Sequence, residues 1–168
     1  MAAVKKNNVT RLLEKRGVPY TAYELPPEKL GALETARLLH VPPERVFKTI
    51  VVTRKQGKPI LAVVSALQEV DLKAVAKAVG EKKVFLPSQK EAERLTGLLA
   101  GGISPLALLG RGFTVLLDES ATQADFLHVS GGQRGLNVRL AVNDFIRLTG
   151  ARVAPIGRTL SPSDIKKP

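Results

Sequence analysis

The sequence contains no cysteine. That absence removes disulfides, thiolate metal sites and a cysteine nucleophile at once, and it leaves the redox compartment undetermined. Histidine is nearly as scarce. His40 and His128 stand far apart with no HExxH or HxE spacing, so no metal site is expected. Aromatic residues make up 4% and tryptophan is missing, which disfavours the stacking platforms of single-strand binders. No apolar run comes near the roughly 18 residues of a membrane span. The opening MAAVKKNNVT holds no apolar stretch of the signal-peptide kind. No membrane partner is therefore expected, and the expected location is the cytoplasm. Neither a Ser-His-Asp grouping nor a spaced carboxylate pair is readable, so ordinary hydrolase machinery is missing.

What the sequence has in excess is positive charge. Lys and Arg number 26 against 15 Asp and Glu, a formal net charge of +11 over 168 residues. A polyanion such as RNA is the natural partner for that bias. The cations (Lys5, Lys6, Arg11, Lys15, Arg16, Lys73, Lys77, Lys82 and Lys83 among them) are spread along the chain rather than gathered in a tail. Contact with phosphates fits this spread better than readout of bases. Length and a 44% apolar content point to one domain with a real core.

Punctuation along the chain sets the expected elements. Asn8 is expected to cap a helix over 9–16 that Gly17 ends. A strand follows over 18–24, broken by Pro26 and Pro27, then a short helix over 33–39. Two β-rich runs, 45–53 and 60–65, flank Gly57 and read as a hairpin. Asp71 caps a helix over 72–79 that Gly80 closes. A short strand covers 83–86, and Ser88 with Glu91 has capping-box spacing for a helix to Leu95. Strands are expected over 113–118, 126–130 and 136–141. A helix capped by Asn143 runs to Leu148, and a last strand spans 152–155. Short helices interleave with more numerous strands, so the expected fold class is α+β: a single domain with a mixed, largely antiparallel, curled sheet.

Three segments carry chemical content. In VFKTIVV, Lys48 sits in mid-strand between apolar neighbours, where it must snorkel, pair, or line a cavity. GGISP (101–105) combines two glycines that allow close backbone approach with a serine held extended by the following proline. It is not a GxxxxGK[ST] phosphate loop. SGGQRG (130–135) reads as a hairpin tip that presents Ser130 and the donor fork of Arg134. His128 reads as a core or surface residue.

FKT (47–49), GGISP and VSGGQRG (129–135), in this order and spacing, give the chain its resemblance to the YbaK/EbsC family. These are bacterial deacylases related to the editing insertion of prolyl-tRNA synthetase. The likeness runs from about Val9 to Gly150, and GGISP with SGGxRG looks like the Cys-tRNA(Pro) deacylase branch. The resemblance implies a barrel-like mixed sheet flanked by helices, an editing domain over 1–157 followed by a polar tail over 158–168, and no metal or cofactor. It implies the 3′ aminoacyl end of a tRNA as partner, with prolyl-tRNA synthetase as a second one. Lys48, Thr49, Gly101, Gly102 and Ser130 take the catalytic positions. Ile103, Ser104, Gly131, Gly132, Arg134 and Asn137 take those around the bound aminoacyl group. Three places depart from the family pattern: the segment Leu30–Gly31–Ala32–Leu33–Glu34, the choice among Tyr20, Tyr23 and Leu25 for a wall tyrosine, and Asn137 where relatives can carry an acid.

The mechanism implied by the resemblance accounts for the missing side-chain nucleophile. A cysteinyl ester carries its own thiol, which can attack the ester carbonyl and leave as a thiolactone, so the protein chiefly holds the reactive geometry. Two other readings stay open on the sequence: a deacylase for another small amino acid such as alanine on tRNA(Pro), and a non-catalytic module that binds tRNA or a synthetase.

Overall fold

The computed structural model describes residues 6–165. The chain opens with α1 (Asn8–Lys15), β1 (Tyr20–Glu24) and α2 (Ala32–Leu39). Then come β2 (Phe47–Arg54), β3 (Ile60–Ser65), β4 (Gln68–Val70), α3 (Leu72–Val79), β5 (Val84–Phe85) and α4 (Gln89–Thr96). The remainder runs β6 (Thr114–Asp118), β7 (Phe126–Ser130), β8 (Leu136–Ala141), α5 (Val142–Thr149), β9 (Arg152–Ala154), β10 (Gly157–Thr159) and α6 (Pro162–Ile165).

β3 is the axis of the molecule. All six of its residues, ILAVVS, are buried. Leu61 and Val63 face one core, with Phe47, Val51, Leu117, Leu127 and Phe145. Ile60, Ala62 and Val64 face the other, with Val52, Val75, Leu116 and Ile156. An unbroken apolar run is what a strand covered on both faces requires. β3 pairs antiparallel with β2 and parallel with β6, in a sheet of order β5-β2-β3-β6-β9.

A second sheet, β1-β8-β7, is antiparallel throughout, and β10 pairs antiparallel with β4. The mixed, largely antiparallel sheet of the sequence reading is therefore present. It does not close into a barrel. The two larger sheets touch through one parallel bridge, Val46 to His128. Upstream of Val46 the backbone turns into a 3₁₀ segment, Pro43–Arg45, so no strand remains to extend the ladder.

Local corrections have local causes. Asn7, not Asn8, caps α1: its side chain accepts from the Thr10 amide at 3.0 Å, while the Thr10 hydroxyl accepts from the Asn7 amide at 2.9 Å. Asn143 lies inside α5, which has no side-chain cap. β8 runs straight into that helix, and the Val142 amide donates to the Asp125 carbonyl at 2.8 Å instead. Asp71 and Gly80 bound α3 as expected, with Gly80 at φ 73°. Two short strands, β4 and β10, were not expected. The boundary drawn at 157/158 falls inside β10, where Arg158 and Thr159 pair with Glu69 and Gln68.

Asp118 ties this last pair to the sheet. The side chain is 2% exposed. It accepts hydrogen bonds from the amides of Ser120 (3.0 Å), Ile156 (3.0 Å) and Gly157 (2.7 Å) and from the Gln68 side chain (2.9 Å). Burial raises the cost of ionising it, but the donors outweigh that cost and hold the carboxyl below its ordinary range. Asp118→Ala strands buried donors and is expected to cost about 3 kcal/mol of stability in urea unfolding. Because the folded-state value is depressed, this contribution is complete above the unfolded carboxyl range and is lost as pH falls through the folded value. The variant should show correspondingly less acid destabilisation than the wild type.

Candidate active site

β2 alternates between the two cores, with Phe47 and Val51 in one and Val52 in the other. By that alternation Lys48 lies on the face that α3 covers, and Thr49 on the opposite face. Lys48 is half-buried, pairs in register with Val64, and makes no hydrogen bond or ion pair among the described residues. Burial pushes its ammonium below the usual lysine range, and the charge of Glu69 partly opposes this.

Lys48 lines a cavity of about 260 Å³ together with Thr49, Gly101, Ile103, Ser130 and Asn137. Leu25, Glu28, Leu30, Gly31, Ala32 and Thr35 form the outer wall. The segment ahead of α2 that departs from the family pattern is therefore the wall itself. Of the three candidates near the first strand, Leu25 lines the cavity. Tyr20 donates to Glu14 at 2.8 Å instead, and Tyr23 packs against His128 with the rings tilted and their centres 5.5 Å apart.

The two glycine motifs pack against each other. A methyl group on Gly102 would stand 2.8 Å from Gln133 Cα and 3.0 Å from its carbonyl carbon, so only glycine lets the two backbones meet. Gly101 has φ 91°. Arg134 spans the junction, with Nε donating to the Ala100 carbonyl at 2.6 Å. The Ser130 hydroxyl accepts from the Gly132 amide at 3.2 Å and makes a long 3.5 Å contact to the Gly101 carbonyl. Among the described residues, the amides of Gly101 and Ile103 make no hydrogen bond.

Not every residue singled out in the sequence faces the cavity. Ser104 is fully buried and caps the next turn by accepting from the Leu106 amide at 3.2 Å. Gly132 borders a separate groove beside Val9 and Ala107. Gly131 is closed off by Leu136, whose side chain a methyl group there would strike at 2.6 Å. Its carbonyl accepts from the Asn7 side chain at 2.8 Å. These residues hold the loops rather than line the pocket.

One partnership was invisible in the sequence. His128 is buried, and its Nδ1 lies 3.1 Å from Asn137 Oδ1. A carboxamide oxygen only accepts, so the ring carries its proton at Nδ1. Burial lowers the His128 titration range, which the bond to Asn137 partly offsets. The ring thereby fixes the Asn137 amide, whose nitrogen has no partner among the described residues. His128 and Asn137 lie nine positions apart, and only the β7–β8 pairing shows that they meet.

The chain is similar to known proteins over most of its length. The model of the aminoacyl-tRNA editing domain family covers residues 27–148. A relative from Enterococcus faecalis, named Cys-tRNA(Pro)/Cys-tRNA(Cys) deacylase EbsC, is 37% identical over 154 residues, which is 90% of this chain and 93% of the relative. A crystal structure described as a trans-editing enzyme for prolyl-tRNA synthetase superposes with TM-score 0.76 at 25% identity, covering 92% of this chain and 99% of that one. A crystal structure of a hypothetical protein superposes with TM-score 0.82 at 22% identity, over 90% and 100% of the two chains, and speaks to the fold alone. The family match runs from the loop before α2 into α5, through Lys48 and both glycine motifs, and the chain belongs to the aminoacyl-tRNA editing domain family.

Proposed function

We propose that the protein is an aminoacyl-tRNA deacylase that clears Cys-tRNA(Pro), and Cys-tRNA(Cys), in trans, with the substrate's own thiol as nucleophile. The observation that carries this reading is Lys48, an unpaired half-buried cation on the wall of a small cavity that also presents the free amides of Gly101 and Ile103. No serine on that wall has a general base bonded to it; the Ser130 hydroxyl is occupied by loop backbone. The cavity of about 260 Å³ suits an aminoacyl group the size of cysteine.

In this mechanism the substrate sulfur forms a bond to the ester carbonyl carbon. The bond from that carbon to the ribose oxygen breaks, and the departing oxygen takes up a proton. Lys48 in its cationic form favours the thiolate and the developing oxyanion, and the loop amides donate to the same oxygen. Thr49, Ser130 and Asn137 orient the aminoacyl group, while Ser104, Gly131, Gly132 and Arg134 act through the loops they hold. Glycine at 102 is needed for the contact that sets the loop in place. A prolyl-tRNA synthetase partner would supply tRNA identity, and a translation substrate supports a cytoplasmic location. Among the described residues no helix is long and apolar enough to cross a membrane. The net charge of +11 supports contact with the phosphate backbone.

Deacylation of tRNAs charged with Cys, Ala, Pro and Ser tests the substrate assignment. Cysteinyl ester should be cleaved fastest, well ahead of seryl ester, whose hydroxyl is far less nucleophilic. Equal rates, or direct release of cysteine carrying labelled water oxygen, would replace the thiol mechanism with plain hydrolysis.

Lys48→Ala should lower the rate on Cys-tRNA on the order of a hundredfold or more with unchanged thermal stability. Near wild-type turnover would remove Lys48 from the chemistry.

The pH profile follows from the same lysine. Activity should rise as the substrate thiol ionises and fall as Lys48 loses its proton, and the falling limb should lie below the usual lysine range because burial lowers that group. Lys48→Arg should move the falling limb upward. An unmoved limb would show that another group titrates there.

A further inference from the structure

Lys48 belongs to two cavities. Beyond it lies a second one of about 600 Å³, lined by Lys48, Ile50, Glu69, Val70, Asp71, Leu72, Lys73, Leu86 and Arg158. Small-molecule sites ordinarily hold about 300–1,000 Å³, so the second cavity is of ligand size while the first falls just short of it. Lys48 and Ile50 are common to both.

An aminoacyl ester has two halves on either side of its carbonyl, a small amino acid and a nucleoside several times larger. If the carbonyl sits at Lys48, the two halves must leave that point in different directions. The smaller cavity matches the smaller half. The larger one has the lining that a nucleoside phosphate needs. Its two carboxylates are already engaged: Glu69 accepts from Arg158 at 3.0 and 2.9 Å, and Asp71 accepts from the Ala74 amide at 3.1 Å. Lys73, like Lys48, is left without an ion pair among the described residues. The Arg158–Glu69 pair is exposed and worth little, so the guanidinium, with its further N–H donors, can be shared between Glu69 and a phosphate at small cost. Apolar contact comes from Ile50, Val70, Leu72 and Leu86, and Leu86 is 58% exposed with nothing covering it. No aromatic ring lines this cavity, so it grips a base by apolar contact and reads its identity weakly.

We propose that the second cavity seats the terminal nucleoside of the aminoacyl-tRNA, with its 5′-phosphate between Lys73 and Arg158 and its base on Leu86, so that the ester lies over Lys48. The assignment rests on the deacylase reading. It makes Lys48 the boundary post between the two halves of the substrate, and it gives binding energy to a part of the substrate that does not react.

Two measurements test it. In an NMR titration with adenosine 5′-monophosphate, shifts should concentrate at Val70, Lys73 and Leu86. Shifts elsewhere, or none, overturn the seat. Because this probe carries no amino acid, its outcome is independent of whether cysteine is the acyl group removed. In steady-state deacylation of Cys-tRNA, Leu86→Asp replaces the apolar contact under the base with a carboxylate, and should raise KM about tenfold with a much smaller change in kcat. Lys73→Ala should raise KM and lower the slope of log affinity against log salt by about one. Arg147→Ala, which removes an exposed cation outside both cavities, should change neither. A KM unmoved by both cavity variants overturns the proposal. Monophosphate binding at the predicted residues with that same unmoved KM would mark a site for a free nucleotide and overturns it equally.

Discussion

The site depends on one contact between two stretches of backbone. Gly102 meets Gln133 at a distance no side chain could share. That contact brings GGISP against SGGQRG, and Arg134 and Ser130 then bond across the junction to Ala100 and Gly101. Neither loop is rigid by composition. Each becomes so because the other fills its open side, and α1 adds a third support through Asn7. The cavity wall inherits that rigidity, and the unpaired amides of Gly101 and Ile103 inherit a fixed direction. Preorganised donors of this kind are the sort that stabilise developing charge without reorganising.

Much of the fold was legible because the relevant signals were local. The buried run in β3, the turn at Gly57 and the bounds of α3 at Asp71 and Gly80 follow from burial, turn geometry and capping. What failed was not local. β4 and β10 are three residues long and largely polar, and their mutual pairing and the Asp118 carboxylate help to hold them as strands. The cap of α5 was misplaced because a backbone carbonyl from the loop before β7, at Asp125, accepts from the first amide of the helix. The barrel expectation failed at Val46, where the chain leaves the ladder after a single bridge.

The same division applies to the site. Lys48, Thr49, Gly101, Ile103, Ser130 and Asn137 were readable as motif positions and do line one cavity. Ser104, Gly131 and Gly132 were readable as equals of these, but packing turns them inward or away. A glycine needed for close approach to a ligand and one needed for close approach to another loop look identical in a sequence. His128 behind Asn137 was not singled out, since the hairpin read at SGGQRG leaves the register open and only the observed pairing of Ser130 with Asn137 and His128 with Arg139 sets the two side by side.

The order of chain synthesis adds a constraint of its own. β1 finds its partner only in β8, with Tyr23 opposite Asn137, and the loop between β7 and β8 also anchors Asn7 at the other end of the chain. An emerging polypeptide can therefore build the β2–β3 hairpin and α3 early, but it cannot own a working pocket until β8 has cleared the ribosome. A chain cut short before Gly135 lacks Leu136 and Asn137 from the cavity wall, leaves β1 without its β8 neighbour and exposes an open strand edge.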